Sequence, residues 1–241
     1  LDGEEVESSV EKSGNLVFIT YESENRFSAG THTVSFSFEE SNGVTRVSKW
    51  YFEVSNLYSL GVKPGSAEGL TVLEYHDITG PSLSSFLGHE KYPESPDVIE
   101  KANYFEWPQS GKIERMPKGN YRDNYGWLFL GYIHPPKTGE YVFHIATDDS
   151  SEFWLSTDEN PANAVKIAQE SNWRGARSYA PTGEEGTSEP VTLEKGKAYF
   201  VELVVKEGNG GDNAAVAWRL ADEKDLTTGA LPIAGEYLSQ W

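Results

Sequence analysis

The chain has 241 residues, 38 acidic side chains against 20 Lys and Arg, a formal net charge of −18, no cysteine and one methionine. So acidic a balance argues against nucleic acid and against an anionic membrane surface, since both are met by basic faces. The missing cysteines exclude disulfides, thiolate zinc sites and cysteine nucleophiles, and no run of about eighteen apolar residues is present to span a bilayer.

The chain opens on Leu1-Asp2-Gly3 with no basic segment leading into an apolar stretch, and reads as a piece of a longer, processed or engineered protein. Leu16–Tyr21 is the first run with strand character. In Thr31–Phe38, His32, Val34, Phe36 and Phe38 share one face while Thr33, Ser35 and Ser37 share the other, the period of two of a half-buried strand. Val44–Val54 closes this part on Trp50, Phe52 and Val54. About three strands are too few for a self-sufficient sandwich. Gly61, Pro64, Gly65, Ser66 and Gly69 then mark a boundary near Asn56–Gly69.

Beyond it the strand candidates are Leu70–Tyr75, Trp127–Ile133, Glu140–Thr147, Glu152–Ser156, Val165–Ala168, Val191–Leu193, Ala198–Lys206 and Ala214–Leu220, separated by glycine-bearing turns. Helix is scarce. A turn is expected over Ser82–Leu87. A short helix is expected over Pro96–Ala102, where Ser95, Pro96 and Asp97 stand in the order of cap, first-turn proline and early acid. Many short strands punctuated by Gly and Pro predict an all-β sandwich or barrel.

Catalytic patterns are missing. The histidines at 32, 76, 89, 134 and 144 have no metal-pair spacing, and there is neither a Gly-x-Ser-x-Gly elbow nor a phosphate loop. His32 and His144 fall in strand patterns and read as packed residues. Gly208-Asn209-Gly210-Gly211 has no following helix to bind a dinucleotide. Asp158-Glu159-Asn160 starts like an EF-hand loop but lacks the glycine at the sixth and the glutamate at the twelfth position.

Two loops stand out. Thr147-Asp148-Asp149-Ser150-Ser151 gathers two carboxylates on a tight turn, and Lys206-Glu207-Gly208-Asn209-Gly210-Gly211-Asp212-Asn213 combines side-chain oxygens with a backbone free to turn its carbonyls inward. Each alone also reads as a solvated turn or hairpin loop. Together they make a calcium site if the strands deliver both loops to one end of a sandwich. Trp127, Trp154 and Trp218 read as core, whereas Trp173, in a polar loop, is either a sugar-stacking platform or a lid over a sheet edge.

Tyr92-Pro93, Asn124-Tyr125-Gly126, Gly131-Tyr132-Ile133, Pro135–Phe143, Asp148–Ser151, Val191-Thr192-Leu193, Lys206-Glu207-Gly208, Gly211-Asp212, Val216-Ala217-Trp218 and Leu231-Pro232 occur in an order and spacing that resemble the PA-fourteen domain, the lectin-like module named after anthrax protective antigen. The resemblance covers about residues 69–240. It implies a twisted antiparallel, jelly-roll-like β-sandwich holding Ca2+ at one end. On it, Asp148 and Asp149 form a cis-linked pair of ligands, and Asn209, Gly210 and Asp212 supply an amide, a carbonyl and a carboxylate. A sugar's vicinal hydroxyls complete the shell, so Asp148, Asp149, Asn209 and Trp173 become the expected sugar contacts. The Asp158–Ala164 insertion and the Glu207–Asp212 loop are similar to the bacterial branch. Residues 1–55 resemble part of a bacterial immunoglobulin-like module, particularly Ala29–Val34 and Trp50–Val54.

The expected organisation is therefore a partial immunoglobulin-like module over 1–55, a linker over 56–68 and the carbohydrate-binding domain over 69–241. The expected function is calcium-dependent glycan or polysaccharide binding by a non-catalytic, lectin- or adhesin-like module of a secreted or cell-surface bacterial protein, without membrane insertion. Its other partners are further domains of the same polypeptide. The alternative is a structural module, or an accessory module on a polysaccharide-degrading enzyme.

Overall fold

A computed structural model describes residues 1–13, 16–21, 27, 30–39, 42–54, 68–117 and 119–241. The chain divides into two compact units, Leu1–Leu60 and Gly61–Trp241. The expected linker, apart from Glu68, lies outside the described residues.

In the first unit β1 (Ser9–Ser13) pairs with β2 (Leu16–Thr20), and β3 (Gly30–Glu39) pairs with β4 (Thr45–Val54), each as an antiparallel two-stranded sheet. Among the described residues this makes four strands rather than about three. β1, Ser-Val-Glu-Lys-Ser, is exposed at every position, so no burial pattern betrays it in the sequence. The alternation expected in β3 holds only in part: His32 is buried and Val34 and Phe36 are half-buried, but Phe38, expected on the same face, is exposed, and Thr33 opposite is half-buried. His32 stacks on Phe52 and pairs with Asp2, Nδ1 to Oδ2 at 2.6 Å, a packed strand residue as expected.

The second unit holds β5 (Leu70–Tyr75), β6 (Val98–Ala102), β7 (Glu106–Trp107), β8 (Tyr125–Ile133), β9 (Gly139–Asp148), β10 (Ser151–Leu155), β11 (Val165–Glu170), β12 (Val191–Leu193), β13 (Tyr199–Glu207), β14 (Asn213–Leu220) and β15 (Leu238–Gln240). One sheet runs β11-β10-β13-β8-β5-β6, with β15 also on β8; the other runs β12-β9-β14-β7. Every pairing is antiparallel, giving the expected all-β sandwich. Alternate residues fill the space between the sheets: Trp127 and Phe129 of β8, Tyr141, Phe143 and Ile145 of β9, Val201, Leu203 and Val205 of β13, and Val216 of β14. Trp218 packs on this core from its edge. Trp154 does not belong to it. Phe153 and Leu155 take the inward positions of β10, and period two turns Trp154 to the other face, half-buried.

The helical turn over Ser82–Leu87 exists as α1 (Leu83–Leu87), whose Phe86 is fully buried. The helix expected over Pro96–Ala102 is wrong: Val98–Ala102 is strand β6, paired with β5 from Leu70↔Ala102 to Glu74↔Val98. The capping pattern is overruled by tertiary contacts. The Asp97 N–H donates to the Glu74 carbonyl at 2.8 Å, and its carboxylate accepts from the His76 N–H and Lys91 instead of capping a first turn. The β-branched pair Val98-Ile99 suits the resulting sheet edge.

β8 is crossed closely by its neighbours at Gly131, where an added Cβ would stand 2.4 Å from Leu70 Cδ2 and 2.5 Å from the Ser239 carbonyl oxygen. Backbone cannot yield as a side-chain tip can. Gly131→Ala is expected to lower stability by about 1–3 kcal/mol, the usual cost of overpacking, seen as a lower urea midpoint at unchanged slope.

Between the β7 end and the loop after β11 lies a buried ion pair. Arg177 and Glu106 are 1% and 0% exposed and make two parallel bonds of 2.6 Å, with a third from Arg177 to the Ile113 carbonyl at 2.6 Å.

Candidate functional site

β9 ends at Asp148 and β13 at Glu207, and backbone bonds hold these two strand ends together at one end of the sandwich. The Asp149 N–H donates to the Lys206 carbonyl (3.2 Å), the Lys206 N–H to the Ser150 carbonyl (2.9 Å) and the Gly208 N–H to Asp149 Oδ2 (2.9 Å). The Asp148–Asp149 peptide bond is cis. The second loop approaches the turn closely at its glycines: a Cβ on Gly211 would lie 2.9 Å from Asp148 Oδ2, and one on Gly208 3.2 Å from Asp149 Oδ2. The two loops singled out in the sequence thus meet.

A third loop joins them. Asn213, opposite Asp148 on β14, donates its amide to the Ala146 (3.2 Å) and Arg174 (3.0 Å) carbonyls, while the Arg174 N–H donates to the Thr147 carbonyl at 2.7 Å. This places Trp173 in a bridge with Asp148 and leaves the indole residue 65% exposed. On the other side, the Ser150 hydroxyl donates to the Pro81 carbonyl at 2.8 Å, bringing in the approach to α1. Between these walls lies an open cleft of about 500 Å³, lined by Pro81–Ser84, Asp149–Glu152 and Gln169–Trp173.

The acids are unequal. One oxygen each of Asp148, Asp149 and Glu207 lie within 4.8 Å of one another. Glu207 is fully buried and neither of its carboxylate oxygens has a hydrogen-bond partner among the described residues. Asp212 stands apart: its Oδ1 accepts from the Tyr125 hydroxyl at 2.5 Å and its Oδ2 from the Tyr121 N–H. Asn209 and Gly210 are exposed at the tip of the second loop. Burial, then the charges of Asp149 and Asp212, push Asp148 up to about 6. Burial, then Asp149, Asp148 and Asp212, push Glu207 up to about 8. The nearby Lys206 is pushed down to about 8 by burial, and its ammonium donates to the Glu207 backbone carbonyl. The crowded acids thus raise one another, and the Lys206 charge offsets this only in part at Glu207.

Glu207 is the residue the sequence analysis does not count in the site. The signal was present: Tyr199, Val201, Leu203 and Val205 face the core, and the same period turns Glu207 inward at the mouth of the sandwich. No histidine belongs to the acidic group. His144, for example, is buried with Nδ1 3.0 Å from the Ala180 carbonyl.

A two-sheet antiparallel sandwich with an acidic, cleft-bordered loop cluster at one end is the class of module seen here. Residues 111–230 match the family model of the PA14 domain, and the chain carries a PA14 domain. A mouse protein, N-acetyl-beta-glucosaminyl-glycoprotein 4-beta-N-acetylgalactosaminyltransferase 1, is 38% identical over 101 residues, covering 40% of this chain and 10% of that protein. Human fibrocystin-L is 32% identical over 88 residues, 36% of this chain and 2% of that protein. The chain thus spans a small part of these curated relatives. Among solved structures, a PA14 sugar-binding domain from an RTX adhesin is 13% identical, with a TM-score of 0.45 over 70% of this chain and all of that one. The epithelial adhesin 6 A domain of Candida glabrata, solved with Galβ1-3GlcNAc, is 14% identical, with a TM-score of 0.44 over 76% of this chain and 90% of that one. At such identities no ligand transfers from either.

Proposed function

We propose that the PA14 domain of this chain is a calcium-dependent carbohydrate-binding module, non-catalytic, within a larger secreted or cell-surface polypeptide. By the resemblance of its Asp158–Ala164 and Glu207–Asp212 segments that polypeptide is bacterial, with residues 1–55 as an immunoglobulin-like spacer. The observation that carries the reading is the meeting of the Asp148–Asp149 turn and the second loop beside an open cleft with an exposed tryptophan.

The residues fit the ion. Calcium takes hard oxygen donors from carboxylates and carbonyls in a flexible shell of about six to eight. Here three carboxylates crowd together, and a glycine-rich loop lies against them. Asp148 and Asp149 hold the ion, with the second loop lying against their carboxylates at Gly208 and Gly211. Bound calcium supplies coordination positions for vicinal hydroxyls of a sugar. The rest is work for this chain's own residues: Asn213 and Arg174 fix the third loop, and Trp173 offers an apolar face to the C–H side of a pyranose. One ion site gives modest affinity per sugar, so tight adhesion arises through many copies or many glycans.

A glycan panel probed in calcium tests this. Binding to at least one class is expected, and Trp173→Ala should weaken it about tenfold or more. Stability should stay within about 0.5 kcal/mol, because the indole is exposed. Unaltered glycan affinity in Trp173→Ala would remove the stacking role. A second reading, the same module attached to a carbohydrate-active enzyme, is favoured by the partial match to a glycosyltransferase.

A further inference from the structure

We infer that Glu207 is a direct side-chain ligand of the ion and that Asp212 is a positioning residue, which departs from the ligand set the PA-fourteen resemblance implies. The inference rests on the calcium reading above.

Three observations carry it. First, Glu207 points inward. It continues the core-facing row of β13 and ends at the sandwich mouth with an oxygen within 4.8 Å of ligand oxygens of both Asp148 and Asp149. Second, it is fully buried with both carboxylate oxygens unpartnered among the described residues. A buried carboxylate without a hydrogen bond is costly, and a cation coordinated at that point removes the cost. Its sequence neighbour Lys206 offsets this only in part, because its ammonium donates to the Glu207 backbone carbonyl and not to the carboxylate. Third, Asp212 is already committed. Tyr125 and Tyr121 occupy one oxygen each, which clamps the 119–124 segment against the end of the sandwich, and its oxygens are outside the group formed by the other three acids. With Asp148 and Asp149, Glu207 makes three carboxylates about one ion. That donor set takes a hard divalent or trivalent cation and leaves the exposed tip at Asn209 and Gly210 to face the sugar.

The test uses the full chain and calcium chloride alone, followed by calorimetric titration of wild type, Glu207→Gln, Glu207→Asp and Asp212→Asn. Glu207→Gln should lose calcium affinity at least tenfold yet melt in chelator no lower than wild type, because the amide is isosteric and relieves repulsion. Glu207→Asp keeps the charge but shortens the reach, and should also lose affinity; wild-type affinity there would reduce Glu207 to a distant charge. Asp212→Asn should keep calcium affinity within about threefold and show faster hydrogen exchange at Tyr121. With Tb3+ as a luminescent substitute, the lifetime in H2O against D2O should report about one more bound water in Glu207→Gln than in wild type. Calcium isotherms of Glu207→Gln and wild type that superpose, or an Asp212→Asn variant that alone loses calcium, would overturn the assignment while leaving the calcium reading intact. Absence of calcium binding by wild type itself would overturn both.

Discussion

With calcium in about hundredfold excess over its Kd, the wild-type chain is expected to melt well above its chelated form, whereas Asp149→Ala melts at the same temperature in both. An ion that binds only the folded state stabilises it by about 2.7 kcal/mol at that excess. For a unit of this size each kcal/mol shifts the midpoint by roughly 2–4 °C, so the calcium shift is about 5–10 °C. Asp149 sits at the centre of the effect, with one oxygen in the acidic group and Oδ2 accepting the Gly208 N–H at 2.9 Å. Removing it deletes a donor and releases the loop from the turn. In chelator the variant should lie near wild type, because the lost hydrogen bond, worth about 0.5–1.5 kcal/mol, is partly offset by relieved repulsion among the acids. Equal calcium shifts in the two proteins, read by calorimetry, would take Asp149 out of the ligand set.

Arg177→Ala should be the most destabilising single substitution predicted here, and for a reason unrelated to the ligand. It leaves the Glu106 carboxylate, 0% exposed, without the two 2.6 Å bonds that balance its charge. It also strips a donor from the Ile113 carbonyl. Burial already pushes Glu106 upward, against the opposing pull of Arg177. Breaking one side of such a pair costs about 3–5 kcal/mol, a large share of a typical domain's total. The double variant Glu106→Gln with Arg177→Met, which removes both charges and keeps much of the volume, should recover more than half of the loss. Urea unfolding measures both. A cost under about 1 kcal/mol for Arg177→Ala would mean that water reaches Glu106.

Much of this was readable from residues because the physics is local. Period two in the first half of β3 follows from strand geometry alone, and glycine-bearing turns separate the strands of the second unit where expected. The two loops of the site were visible as chemistry, two adjacent carboxylates and a carbonyl-rich tip. That they meet depends on β10 pairing with β13, a long-range choice that no short segment contains. The failures have the same origin. Ser95-Pro96-Asp97 carries a genuine capping pattern, yet Asp97 is taken by His76 and Lys91 and the following residues by the edge of β5. β1 has no apolar face to announce it. Glu207 lay in plain view at the end of an apolar strand. A charged residue there reads as the point where the strand leaves the core, until the structure shows it buried among like charges.

The central claim is that this domain holds sugar through a loop-bound calcium ion. The most direct measurement takes a glycan that binds in calcium and titrates it calorimetrically into the same protein in chelator, then again after calcium is restored. Binding that disappears in chelator and returns with calcium is the predicted result. Glycan affinity that persists unchanged in chelator would contradict it.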